Sequence, residues 1–117
     1  MKLFVLFGLF MTGAAFGQSS SLQGVVSDGQ GEIIPDAVIT IVNLSTAATR
    51  KIVSSGNGAY SFVQVPPGTY KLEAVKPGFR TLSQQVRLQI DVPATINLAL
   101  EVGQVSETIN VTEEVAS

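Results

Sequence analysis

Short runs of alternating apolar and polar residues, each closed by glycine, proline or Asn-Gly, fill the chain after Gln18, and none carries a 3.6-residue apolar period. That punctuation rules out helices of any length and points to an all-β protein. Residues 22–27 form a first expected strand, closed by Asp28-Gly29-Gln30-Gly31. Residues 37–43 form a second, with Ala37, Ile39 and Ile41 on one face and Val38, Thr40 and Val42 on the other. Being largely apolar on both faces, it belongs in the middle of a sheet. Residues 49–54 follow, and Ser55-Gly56-Asn57-Gly58 is a tight turn of the kind Asn-Gly favours. Tyr60 and Phe62 share one face of the fourth strand, which Pro66-Pro67-Gly68 ends.

The alternation then continues. Tyr70, Leu72 and Ala74 face inward, against Lys71 and Glu73 facing water. Val86, Leu88 and Ile90 mark a sixth strand, and Ile96, Leu98 and Leu100 a seventh. Seven closely spaced strands give the expectation of a seven-stranded antiparallel β-sandwich. Beyond Gly103, read as a hinge, Val105, Ile109, Val111 and Val115 alternate with polar residues. Residues 104–117 are either an eighth strand or an extended tail; the expectation adopted is a mobile tail that adds little to the core.

The first 17 residues read as an export signal. Met1-Lys2 is a positive start, residues 3–16 are mostly apolar, and Ala15 and Gly17 supply small residues at cleavage spacing. The run is too short for a spanning helix, which needs about 20 residues. The expected division is signal peptide 1–17, sandwich domain 18–103 and tail or linker 104–117, with a mature start within two residues of Gln18.

Of 117 residues none is His, Cys or Trp, and 14% are charged, with a net charge of −2. Thiol nucleophiles, disulfides, His- or Cys-based zinc sites and His acid–base chemistry are therefore out of reach. A basic footprint for nucleic acid is missing. Asp28, Glu32 and Asp36 recur around a glycine-rich loop but lack a full calcium pattern, so a solvated turn is expected. Asn43-Leu44-Ser45 and Asn110-Val111-Thr112 match glycosylation acceptors, a pattern common by chance. Tyr60, Phe62, Tyr70 and Phe79 are expected in the core rather than as a ligand platform. No catalytic, cofactor-binding or metal-ligating residue is assigned, no cofactor is implied, and an enzyme is not expected.

Several motifs in order carry a resemblance: Gly24-Val25-Val26, Asp28-Gly29, Pro35-Asp36-Ala37-Val38, Gly58-Ala59-Tyr60-Ser61-Phe62, Val65-Pro66-Pro67-Gly68-Thr69-Tyr70 and Pro77-Gly78-Phe79. From residue 22 to about 101 the chain resembles a carboxypeptidase regulatory-like domain. That resemblance implies a transthyretin-like, or carbohydrate-binding-like, sandwich and says nothing of chemistry. Related pilin-type domains form Lys–Asn isopeptide links, and the expected first strand here has no Lys to supply one. Together with the signal, the stretch from Leu100 to Thr112 is similar to the start of Oar-like TonB-dependent outer-membrane receptors. Those continue into a plug and a barrel, neither of which these 117 residues contain, so transport is not carried over.

The resulting expectation is a non-catalytic exported module, periplasmic or outer-membrane associated, that docks protein partners of the cell envelope through residues 104–117. A carbohydrate-binding or adhesive surface module is the alternative. No nucleic-acid partner and no span in the mature chain are expected.

Overall fold

The computed structural model describes residues 19–115; the expected signal segment, residues 1–17, lies outside them. Nine strands follow one another: β1 Ser20–Asp28, β2 Val38–Asn43, β3 Thr49–Val53, β4 Ala59–Val65, β5 Gly68–Val75, β6 Thr81–Leu88, β7 Pro93–Thr95, β8 Leu98–Leu100 and β9 Thr108–Val115. They form two sheets. In one, β1 lies between β4 and the β7/β8 pair; the other runs β3-β2-β5-β6-β9.

Alternation places the core between the sheets. Leu22, Val26, Phe62, Val65, Ala94 and Leu98 come from the first sheet, and Ile39, Ile41, Leu72, Val86 and Leu88 from the second, all at most 2% exposed. Burial alternates along β2 and β5, whereas residues 81–84 of β6 are buried on both parities and β3 has no fully buried residue. Tyr70, Leu72 and Ala74 point inward as expected, with Lys71 exposed between them. The strand apolar on both faces, β2, is central, between β3 and β5.

Buried polar groups secure the irregular parts. Ser54 is 2% exposed. Its Oγ donates to the Ile34 carbonyl (2.9 Å) and accepts from the Ala37 N–H (2.8 Å). It thereby holds the 34–37 bend, in which Asp36 takes a φ of 62°. Ser54→Ala strips both partners at a buried site and is expected to cost about 1–3 kcal/mol, read as a lower urea midpoint at unchanged slope.

Three expectations need correction. Where seven antiparallel strands were expected, the described residues form nine, and β7 and β8 run parallel to successive halves of β1. The expected seventh strand is cut between Thr95 and Leu98. The sixth starts earlier, at Thr81, and stops at Leu88. Ile90 leaves the ladder and is 43% exposed, because a turn begins at Gln89, whose carbonyl accepts the Val92 N–H.

The third correction concerns the tail. Residues 108–115 form a strand that pairs in parallel with β6, Leu82 opposite Ile109 and Gln84 opposite Val111. Ile109 packs against the core. Gly103 is no hinge: its N–H donates to the Gly78 carbonyl at 3.1 Å. The crossing between sheets is tied down by Arg80 N–H to Glu101 O (2.7 Å), Thr81 N–H to Glu107 O (2.8 Å) and Thr81 Oγ–H to Val105 O (2.8 Å). Thr81 and Arg80 supply partners that the tail's own composition does not reveal.

Candidate functional site

The aromatic side chains answer first whether the surface offers a stacking platform. Tyr60 and Tyr70 are each 3% exposed and Phe62 is fully buried. Tyr60 packs edge-on against Phe62, with ring centres 6.2 Å apart. The Tyr60 hydroxyl donates to the Ile96 carbonyl at 2.5 Å, and burial pushes its ionisation well above the usual phenol range. The Tyr70 hydroxyl donates to Pro66 O at 2.6 Å, closing the Pro-Pro corner. Phe79 is half-buried, its backbone bridged to Val102. Tyr60, Phe62 and Tyr70 are structural.

The acidic loop is likewise committed to its own turn. One Asp28 carboxylate oxygen accepts the N–H groups of Gln30 (2.8 Å) and Glu32 (3.0 Å). Among the described residues no three His, Cys, Asp or Glu side chains are grouped to hold a metal ion. Asn43, 7% exposed, accepts from the Ser45 and Thr46 N–H groups, a buried turn-forming role that leaves no room for a glycan. Asn110, on β9, is exposed.

Where the strand beside β1 is cut, the sheet opens. Ile96 N–H still donates to Gln23 O at 2.8 Å, but the next ladder position is filled by a side chain: Asn97 Oδ1 accepts the Val25 N–H at 3.0 Å. The Ile96 carbonyl lies over Gly24, where a side chain would collide with it. A glycine inside a strand is the sequence signal for such an approach. Outside this break lies an open groove of about 600 Å³. Val25, Ile52 and Val53 supply its apolar part; Gln23, Ser61 and Asn97 its polar part. No lining side chain is charged.

Sheet margins are the second feature, because an unpaired strand edge is a template for another strand unless it is guarded. Among the described residues there are four margins, each charged or interrupted in its own way. The β3 margin carries adjacent cations, Arg50 and Lys51. The β4 margin is bent where Gln64 takes a φ of 53°, and the Arg50 guanidinium caps Val63 O at 2.9 Å. The β7/β8 margin is two three-residue pieces, the first opening with Pro93. The fourth, β9, runs for eight residues without proline, glycine, lysine or arginine; it carries Glu113 and Glu114, and its register against β6 shifts between Gln84 and Val86.

Comparison with known proteins agrees with this architecture. The carboxypeptidase regulatory-like domain family matches residues 21–101. The TonB-dependent transporter Oar of Myxococcus xanthus is 32% identical over 107 residues, a match covering 87% of this chain. The chain spans 10% of that relative's length. Among solved structures, a streptococcal ancillary pilin superposes with a TM-score of 0.61 at 14% identity, over 86% of this chain and 36% of the pilin. The dioxygenase domain of a dioxygenase–carbohydrate-binding protein fusion from Streptomyces sp. SirexAA-E superposes with a TM-score of 0.61 at 12% identity, over 80% of this chain and 86% of that one. At such identities these two show a shared fold alone.

Proposed function

Because the chain belongs to the carboxypeptidase regulatory-like domain family, we propose that it is a non-catalytic, exported accessory module of the cell envelope that docks a protein partner through β9. The observation that carries this reading is the 32% identity with the Oar transporter over most of this chain. A receptor-type context makes the periplasm or the outer membrane its place of work, with residues 1–17 as the export signal. A non-catalytic role is supported by the commitment of the candidate side chains to the fold: Tyr60 and Tyr70 bond backbone carbonyls, and Asp28 closes a turn.

Partner binding follows from edge chemistry. β9 is the longest of the four margins, its residues 108–111 are in unbroken register with β6, and strand addition to such a margin draws affinity from main-chain hydrogen bonds. Residues 88–117 contain Asp91, Glu101, Glu107, Glu113 and Glu114 and no lysine or arginine. The segment that fits is therefore extended, β-branched and basic. The carbohydrate-binding alternative rests on the uncharged groove at the strand break.

The test is a titration of the isotope-labelled full chain with an extended peptide of alternating valine and lysine. Its counterpart with glutamate in place of lysine is the control. Amide shifts confined to β9 and β6 are expected, with the lysine peptide binding at least about tenfold tighter at low salt. Asn110→Lys on β9 should abolish that preference without lowering the melting temperature. Absence of saturable binding, or shifts on β3 and β4 instead, overturns the docking reading. Shifts of Gln23, Ser61 and Asn97 with a neutral oligosaccharide, and none with the lysine peptide, would replace it with carbohydrate binding. Fractionation of a Gram-negative host should find the protein in the envelope, beginning within two residues of Gln18.

A further inference from the structure

The turn that links β3 of one sheet to β4 of the other holds an Asn-Gly pair. An Asn-Gly pair is the chemically weakest peptide linkage to side-chain attack, because glycine has no side chain to shield its nitrogen. Asn57-Gly58 is such a pair, with Asn57 exposed and Gly58 buried. Two contacts engage both reactants. The Gly58 N–H, whose nitrogen would attack, donates to Ser55 O at 2.8 Å. The Asn57 side-chain carbonyl, whose carbon would be attacked, accepts the Ser55 Oγ–H at 2.5 Å and the Ala59 N–H at 3.3 Å.

We propose that Asn57 is a site of spontaneous deamidation and that the Ser55 hydroxyl restrains it. In the reaction the Gly58 nitrogen gives up its proton and bonds to Asn57 Cγ. The bond from Cγ to the side-chain nitrogen breaks and ammonia leaves, forming a cyclic imide. Water then opens the imide on either side, leaving aspartate or isoaspartate at position 57. One water enters, one ammonia departs, and one carboxylate is gained without any oxidant or reductant. Deamidation has structural consequences here, because the Gly58 carbonyl accepts the Val26 N–H at 2.8 Å. A Cβ on Gly58 would lie 2.9 Å from Val26 O, so the backbone is already close to β1. Isoaspartate inserts a methylene into the backbone one residue before that contact and pulls the turn and the start of β4 off β1.

The measurement is peptide mapping by mass spectrometry of the full chain stored at neutral pH and body temperature. A synthetic peptide of residues 54–61 serves as the unstructured reference. The folded chain is expected to gain about 1 Da at Asn57, more slowly than the peptide does. Ser55→Ala should accelerate the gain several-fold, Ser55→Thr should restore the wild-type rate, and Asn57→Gln should suppress it. Amide exchange of β3 and β4, unchanged in Ser55→Ala, separates loss of the restraint from loss of the strands on either side of the turn. If the folded chain deamidates as fast as the peptide, or Ser55→Ala and wild type age alike, the restraint is refuted. If modification falls on other asparagines and spares Asn57, the site is refuted.

Discussion

Gly24→Ala is expected to remove a large part of the protein's stability, roughly 3–5 kcal/mol out of the 5–15 kcal/mol typical of a domain. A Cβ at position 24 would stand 1.9 Å from the Ile96 carbonyl oxygen, 2.7 Å from its carbon and 2.9 Å from the Tyr60 ring. The nearest of these atoms belong to backbone, so no rotamer change relieves the clash. Either β1, the strand between β4 and the β7/β8 pair, moves as a whole, or Ile96 moves out. In the second case the Tyr60 hydroxyl loses its acceptor in a buried place. Thermal unfolding should fall by about 15 °C or more. Gly29→Ala, at a turn where an added Cβ meets nothing within 4 Å, is the control and should stay within about 0.5 kcal/mol. Equal effects at the two positions would mean that Ile96 does not lie over Gly24.

Tyr70→Ala is expected to be comparably severe, about 3–5 kcal/mol, because it empties a core site of an aromatic ring and frees Pro66 O from its donor. Tyr70→Phe keeps the ring and isolates the hydrogen bond, at about 1 kcal/mol. Lys71→Ala, one residue along β5 and facing water, should change stability by no more than about 0.5 kcal/mol. The three variants measured by urea unfolding form an internal check on register. A one-residue slip of β5 against Val86 of β6 would exchange the large and small effects.

Some of this was legible from the residues in order and some was not. Alternation at Tyr70, Leu72 and Ala74, and at Leu98 and Leu100, marks buried faces because a side chain's side of a strand is settled by parity alone. Turn chemistry was equally local: Pro66-Pro67-Gly68 and Ser55-Gly56-Asn57-Gly58 end strands whatever surrounds them. The cut at Ile96-Asn97 was not legible, because both residues continue the alternation. The interruption comes from Gly24 and Tyr60, distant in sequence, which turn the Ile96 carbonyl out of the ladder. The groove beside that cut was hidden for the same reason.

The tail shows the division most clearly. Residues 104–117 alternate weakly and carry several acids, a pattern that fits both an extended linker and a strand. Its pairing is decided by Arg80 and Thr81, whose N–H groups and Thr81 hydroxyl donate to the carbonyls of Glu101, Glu107 and Val105, and by Leu82, against which Ile109 is set. Local residue order is enough for an all-β chain, the inward face of most strands and the turns between them, since each depends on residues a few positions apart. Which strands lie side by side, in what direction, and which stand at the margins depend on contacts between distant segments. Hydrogen-bond partners across a sheet are non-local, and a strand's own side chains do not specify its neighbour.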